Sequence, residues 1–206
     1  MNKGKFIVFE GLDGSGQSTQ ANLLRNFLTQ KGLEIILTKE PTLDSETGKE
    51  IRQILDKKEK ISPQKLQELF AKDRKEHLEN LILPAIQERK IVISDRYFFS
   101  SFAYGKADDV DLERLIKINN QFLLPDITFL LKVSPEICLE RIKKRNQGKE
   151  RTLFEEKEKL SKVWNVYQIL PDRFKNIFIV DGEKPIEEVS KDIKKIIRNL
   201  KFFKKI

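Results

Sequence analysis

The stretch Gly11-Leu-Asp-Gly-Ser-Gly-Gln-Ser-Thr19 constrains this chain more than any other. It follows an apolar run, Phe6-Ile-Val-Phe9, closed by Glu10, and it precedes a segment in which Leu24, Phe27 and Leu28 recur at helical spacing. A strand, a glycine-rich turn and a helix in that order make a phosphate-binding loop. Gly11, Gly14 and Gly16 let successive backbone N–H groups curl around phosphate oxygens, and the helix directs its positive end at them. Leu12, Asp13, Ser15 and Gln17 complete the loop, Ser18 offers a hydroxyl to Mg²⁺, and Thr19 follows it into the helix. The full pattern, G-x-x-x-x-G-K-[ST], has lysine where this chain has Gln17, a side chain that donates hydrogen bonds without positive charge.

Four further runs read as strands: Leu33-Glu-Ile-Ile-Leu37, Ile91-Val-Ile93, Ile127-Thr-Phe-Leu-Leu131 and Ile177-Phe-Ile-Val180. They are short, rich in β-branched residues and separated by longer helical patterns, which predicts an α/β fold with a five-stranded parallel sheet covered by helices on both faces. Ser62-Pro63 reads as a helix N-cap followed by proline at the first helical position. Leu66, Leu69, Phe70, Leu78, Leu81 and Ile82 carry that helix's apolar stripe towards Pro84, which is expected to kink or end it. Ser134-Pro135 opens another helix in the same way, and Pro185 opens the last.

No repeat or low-complexity linker interrupts the 206 residues, so residues 1–206 are expected to form a single domain. No apolar run reaches the length of a membrane span, and a charged residue interrupts the N-terminus before a signal-peptide core is complete; a cytoplasmic protein is the expectation. One cysteine, Cys138, and one histidine, His77, leave no disulfide framework and no Cys/His zinc cluster, so any metal is a hard cation held by oxygens. The net charge is +8, but seven Lys/Arg against one Asp from Lys191 to Ile206 account for most of it. There Ile193, Ile196, Ile197 and Leu200 recur at helical spacing, so the segment reads as a surface helix with a solvated lysine face rather than a nucleic-acid contact. The high Lys and Glu content also fits a protein built for high temperature.

Ser94-Asp95-Arg96-Tyr97 lies at the carboxyl end of the third strand, the edge that lines the ligand crevice of an open α/β sheet. Asp95 and Arg96 are therefore expected to face the loop's phosphates, Asp95 holding Mg²⁺ or accepting from an acceptor phosphate and Arg96 gripping a phosphate with its planar fork.

Together these residues resemble the thymidylate kinases, a family of P-loop nucleoside-monophosphate kinases with a mobile lid. The resemblance runs through Phe9-Glu-Gly-Leu-Asp-Gly-Ser-Gly16, Glu40-Pro41 with Ile51-Arg52, Leu69-Phe70-Ala-Lys-Asp-Arg74 with His77, Asp95-Arg-Tyr-Phe-Phe-Ser-Ser-Phe-Ala-Tyr104, and Leu124-Pro-Asp126 followed by Glu140-Arg141. It implies transfer of the ATP γ-phosphoryl group to dTMP, yielding dTDP and ADP, with Mg²⁺ as cofactor and a homodimer as the assembly. By the same resemblance Phe70 would stack on thymine and Arg74 would bond its edge. The spacing by itself places these two one helical turn apart on one face. Arg52 and Arg96 would hold the dTMP phosphate, Pro41 would wall the base pocket, Ser101 would add a hydrogen bond near the base, and Tyr104 would crowd the 2′ side of the sugar. Asp13 would sit by the acceptor sugar and phosphates, and Tyr167 would close over the nucleoside.

Phosphoryl transfer needs alignment and positive charge more than covalent help. The loop carries no arginine, so the charge is expected from a lid at about residues 145–155, where Arg145, Lys149 and Arg151 stand in a Gly-containing segment. Arg151 or Lys149 is the candidate catalytic cation, and Arg141 or Arg145 flanks the adenine or the phosphates. Lys39, Thr42 and Gly105 depart from the family's arginine, glycine and glutamine at those positions. Two other readings stand beside this one. One is a nucleotide-binding protein that turns over slowly or not at all because of Gln17; the other is a kinase of the same fold acting on dUMP, another nucleotide or a nucleoside.

Overall fold

The computed structural model describes residues 3–56, 61–145 and 153–200. Its strands are β1 (Lys5–Gly11), β2 (Ile35–Lys39), β3 (Ile91–Asp95), β4 (Ile127–Lys132) and β5 (Ile177–Asp181). All pair in parallel, in the order β2-β3-β1-β4-β5. The second strand begins two residues later than Leu33, because Gly32 turns the chain at φ 78° and the Leu33 N–H still bonds the Leu28 carbonyl of the preceding helix.

The alternation of β1 divides the core. Phe6 and Val8 face one layer, with Val92 and Leu130 beside them, and meet the helical turn Leu78–Ile82 that follows α3 (Pro63–His77), then α4 (Leu83–Gln87), α5 (Phe98–Ala107) and α8 (Leu153–Arg173). Ile7 and Phe9 face the other, with Ile93 and Phe129, and meet α1 (Gln17–Gln30) and α9 (Ile186–Asn199). Fully buried strands must be apolar on both faces, which is why these runs are nearly continuous. Glu10 is the exception in β1: it lies on the Phe6 and Val8 face and is wholly buried. The remaining helices are α2 (Glu46–Leu55), α6 (Leu112–Asn119) and α7 (Pro135–Arg145).

Ser62 caps α3 as its sequence indicates, accepting from the Lys65 N–H. Pro84 does not end the helical course. One wide turn, Leu78–Ile82, in which the Leu83 N–H reaches back to the Leu78 carbonyl, separates α3 from α4. A widened turn relieves the clash between the proline ring and the carbonyl four residues earlier.

The layer between α5 and α8 is packed with rings. Phe99 lies 4.6 Å from Phe98, 5.1 Å from Phe174 and 5.9 Å from Phe102, centroid to centroid. Phe99→Ala should therefore cost about 3–5 kcal/mol of stability, measured by urea unfolding, because neighbouring rings cannot all collapse into the cavity. A cost below about 1 kcal/mol would show that this layer is loosely packed.

Candidate active site

The chain leaves β1 towards β2 on one side and leaves β3 towards β4 on the other, so the crevice for a ligand opens at the carboxyl ends of β1 and β3. Residues 11–16 turn there, with Gly11, Gly14 and Gly16 at φ 151°, 86° and 99°. A Cβ on Gly14 would stand 2.6 Å from the Cys138 carbonyl oxygen, so only glycine lets the loop lie against α7. Gly16 caps α1 without a side chain, and the first turn of α1 holds no acidic residue. The helix's first N–H groups are thus left for an anion, with the dipole in its favour.

Gln17 is buried, and its Nε2 donates to the Gly11 carbonyl oxygen at 2.8 Å, so the amide is turned back on the loop it belongs to. The Ser18 hydroxyl donates to a carboxylate oxygen of Asp95. Asp95 ends β3 level with Phe9 on one side and Lys39 on the other. Arg96 follows in the left-handed region at φ 76°, a conformation that the Arg96 N–H bond to the Phe9 carbonyl and four side-chain bonds hold in place. Its Nη1 donates to the Gly11 carbonyl at 3.1 Å and to Ser100 Oγ at 2.8 Å, and its Nη2 donates to Asp13 Oδ1 at 2.7 Å. The guanidinium also lies over the Tyr104 ring at 5.2 Å, and the Tyr104 hydroxyl accepts from the Asp13 N–H at 3.1 Å.

Beneath Arg96 sits Glu10. Its Oε1 accepts from the Tyr97 and Ser100 N–H groups at 2.9 and 3.2 Å, and its Oε2 accepts from the Ser100 and Tyr167 hydroxyls at 2.6 and 2.9 Å. Burial pushes the Glu10 carboxyl up to about 7, even though the Arg96 charge, the Ser100 and Tyr167 hydroxyls and the Tyr97 N–H favour the anion.

A cavity of about 360 Å³ runs from the loop to α3. Asp13, Gly14, Gln17, Ser18, Asp95 and Arg96 line one end, and Pro41, Gln67, Phe70, Arg74, Ser101 and Tyr104 line the other. Arg74 is 1% exposed; its Nε donates to Glu40 Oε2 at 2.9 Å, its Nη1 to Asn119 Oδ1 at 2.5 Å and its Nη2 to Ser101 Oγ at 3.2 Å. Glu40 also meets His77 Nδ1 at 3.2 Å, and His77 Nε2 meets the Thr38 hydroxyl at 2.7 Å.

Several expected residues stand elsewhere. Tyr167 is wholly buried against Glu10, beneath the cavity rather than across its mouth. The Arg52 guanidinium donates to the Thr42 and Leu43 carbonyls, outside the cavity lining. Leu12 packs in the core, and Thr19 is exposed on α1. Arg141 reaches the Ser15 and Gly182 carbonyls at 3.4 and 3.0 Å, and Arg145 lines the cavity. Lys149, Arg151 and most of the expected lid lie outside the described residues. Sequence reasoning missed Glu10, Gln67 and Ser100 as site residues. For Glu10 a signal existed, a carboxylate in an otherwise apolar strand, and Ser100 stands in the Asp95–Tyr104 segment that carries the resemblance; for Gln67 there was none.

Among the described residues, no three His, Cys, Asp or Glu side chains gather into a metal cluster, and no helix is long and apolar enough to cross a membrane. The touching oxygens of Ser18 and Asp95 at the loop's mouth fit a hard cation that takes its other ligands from phosphate and water. A parallel sheet in this order, with a glycine loop leading into α1 and an acid–arginine pair ending β3, defines a P-loop α/β phosphate-transfer fold. A family model described as thymidylate kinase matches residues 9–193. The chain is 42% identical over 202 residues to a probable thymidylate kinase of Pyrococcus horikoshii, covering 96% of this chain and 97% of that one. It is 39% identical over 192 residues to a thymidylate kinase of Desulfotalea psychrophila, covering 93% of each. A thymidylate kinase of Leptospira interrogans is 38% identical over 200 residues, covering 95% of each. The chain belongs to the thymidylate kinase family.

The raised Glu10 carboxyl has a measurable sign. Between pH 4.5 and about 7 the folded protein holds a proton that the unfolded chain has released, so this group's contribution to stability falls as pH rises through that window. At 1.36 kcal/mol per pH unit, the stability of Glu10→Gln relative to wild type should rise by about 3 kcal/mol from pH 4.5 to pH 8, read by urea unfolding at each pH. Parallel pH profiles would show that the Glu10 carboxyl titrates near its ordinary value.

Proposed function

We propose that this chain transfers the γ-phosphoryl group of ATP to dTMP, giving dTDP and ADP. The observation that carries the reading is the single cavity: the phosphate loop opens into the same space as Phe70, Arg74 and Tyr104, with Asp95 and Arg96 between them. An aromatic face, a buried arginine and a phosphate cradle in one enclosure suit a nucleotide acceptor facing a nucleotide donor.

In this assignment the loop from Gly11 to Ser18 holds the ATP phosphates through its remaining N–H groups, those of Asp13 and Ser15 being engaged by the Tyr104 hydroxyl and the Leu12 carbonyl, and Arg96 takes the acceptor phosphate. Asp13 fixes Arg96 and lies by the acceptor sugar and phosphates, Phe70 stacks on the base, Pro41 walls it, Ser101 bonds near it, and Tyr104 limits room at the sugar's 2′ side. Arg52 and Tyr167 reach the nucleotide only after rearrangement. Ser18 and Asp95 would hold Mg²⁺, which when bound neutralises phosphate oxygens. Arg141 or Arg145 flanks the donor nucleotide. Gln17 brings no charge and its amide is spent on the Gly11 carbonyl, so the remaining positive charge is assigned, from the family resemblance, to Arg151 or Lys149. The same resemblance implies a homodimer; the single domain and the cytoplasmic location rest on the chain's length and on its apolar runs.

Incubation with ATP, Mg²⁺ and dTMP, beside dUMP, dCMP and dGMP, should give ADP and dTDP with dTMP preferred. Gln17→Lys should raise kcat by up to about 10²–10³, the usual worth of one preorganised donor. An unchanged kcat would mean that other cations already supply the charge. Nucleotide binding without turnover, restored by lysine, would leave a binding protein in place of a kinase.

A further inference from the structure

Gln67 stands on α3 one turn before Phe70 and two before Arg74, so the three share the face that lines the cavity. It is 3% exposed, and its Oε1 is buried without a hydrogen-bond partner. Most buried carboxamide oxygens find a partner; Gln20 Oε1 and Asn176 Oδ1 also lack one among the described residues, but of the three only Gln67 lines the binding cavity, where the missing group can be supplied on binding. Room for the Gln67 carboxamide itself is provided from across the helix interface. Gly105 of α5 carries no side chain, and a Cβ there would come within 3.1 Å of Gln67 Cδ and 2.9 Å of Leu115 Cδ1. Arg74, by contrast, is largely committed, its three nitrogens donating to Glu40, Asn119 and Ser101. Arginine offers donors only, so it can serve a keto oxygen but not an N–H. The Gln67 carboxamide has both an acceptor and donors.

Resting on the dTMP reading above, we propose that Gln67 selects the base: its Oε1 accepts the pyrimidine N3–H, and its Nε2 donates to the adjacent 4-keto oxygen. A thymine or uracil edge presents that donor and acceptor side by side. A cytosine edge presents an acceptor at N3 and an amino group at C4, and although the carboxamide can turn over to meet it, the amino group then confronts the donor-only guanidinium of Arg74. The carboxamide and the guanidinium together therefore favour the keto pyrimidine, while either alone discriminates less. Packing is the plain competing role for Gln67, and the two roles differ in what they change.

The test compares wild type with Gln67→Met, which keeps the length and packing but removes both polar atoms, and Gln67→Glu, which keeps only acceptors. Steady-state rates at saturating ATP and Mg²⁺ are taken with dTMP and dCMP, and dTMP binding is titrated calorimetrically on each protein. Gln67→Met should raise the KM and Kd for dTMP about tenfold, with the loss falling on KM rather than kcat, and should narrow the dTMP to dCMP preference by a similar factor. Gln67→Glu should weaken dTMP at least as much, because its second oxygen faces the 4-keto group. If dTMP binding and the dTMP to dCMP ratio stay within twofold of wild type in Gln67→Met while the melting temperature alone moves, Gln67 is a packing residue and the proposal fails with the kinase reading intact. If wild type binds no dTMP, both fail.

Discussion

The carboxylate of Glu10 ties the crevice together. It is placed by the strand alternation of β1 on the face that meets α5 and α8, and it is wholly enclosed. An isolated charge could not be buried there, and the structure answers with four donors drawn from α5, α8 and the residue before α5. Ser100 links that carboxylate to Arg96, and Arg96 in turn spans Gly11 and Asp13. One buried acid thus registers the phosphate loop against the start of α5. A side chain at either end cannot shift without leaving a buried partner unmatched.

A second buried unit does the same for the far end of the cavity. Glu40, at the end of β2, holds both Arg74 and His77 of α3, and Thr38 and Asn119 close the set. This arrangement alters the meaning of Arg74. A guanidinium at 1% exposure with three protein acceptors serves first to lock α3 against β2, α5 and α6. What it has left for a ligand is directional and small, which is why a neighbouring group with acceptor capacity matters. The apolar layers do not supply this precision; they hold the helices on the sheet, and the polar units set their register.

Much of the fold was legible because its signals are local. The five strands announce themselves as β-branched runs, Ser62 and Pro63 as a helix start, and the spacing of Gly11, Gly14, Gly16 and Ser18 as a phosphate loop before any packing is considered. Where the structure adds to that reading, the cause is non-local or compensatory. The helical course through Pro84 survives because a wide turn at Leu78–Ile82 absorbs the ring, and no composition rule marks such a turn. Tyr167 carries the right residue type for a nucleoside contact, and the packing of α8 on α5 brings its hydroxyl to Glu10, a partner that no local pattern announces. Arg52 likewise finds the carbonyls of Thr42 and Leu43 close by.

The sequence alone determined a parallel α/β sheet and a loop able to cradle phosphate without the usual lysine, and its resemblance to the thymidylate kinases added the class of reaction. The sheet and the loop follow from short-range patterning, where three glycines, a cap or an apolar run act on their own neighbours. Only the tertiary structure decided which polar side chains are spent and which are available. Gln17 is spent on the Gly11 carbonyl, Arg74 on Glu40 and Asn119, and Glu10 on α5 and α8, whereas Gln67 is left with an unmatched oxygen at the cavity wall. Partners such as Glu40 and Arg74 are 34 residues apart in the chain, and Glu10 and Tyr167 are 157 apart. A hydrogen bond is satisfied by whatever packing brings within about 3 Å, and separation along the chain carries no record of that.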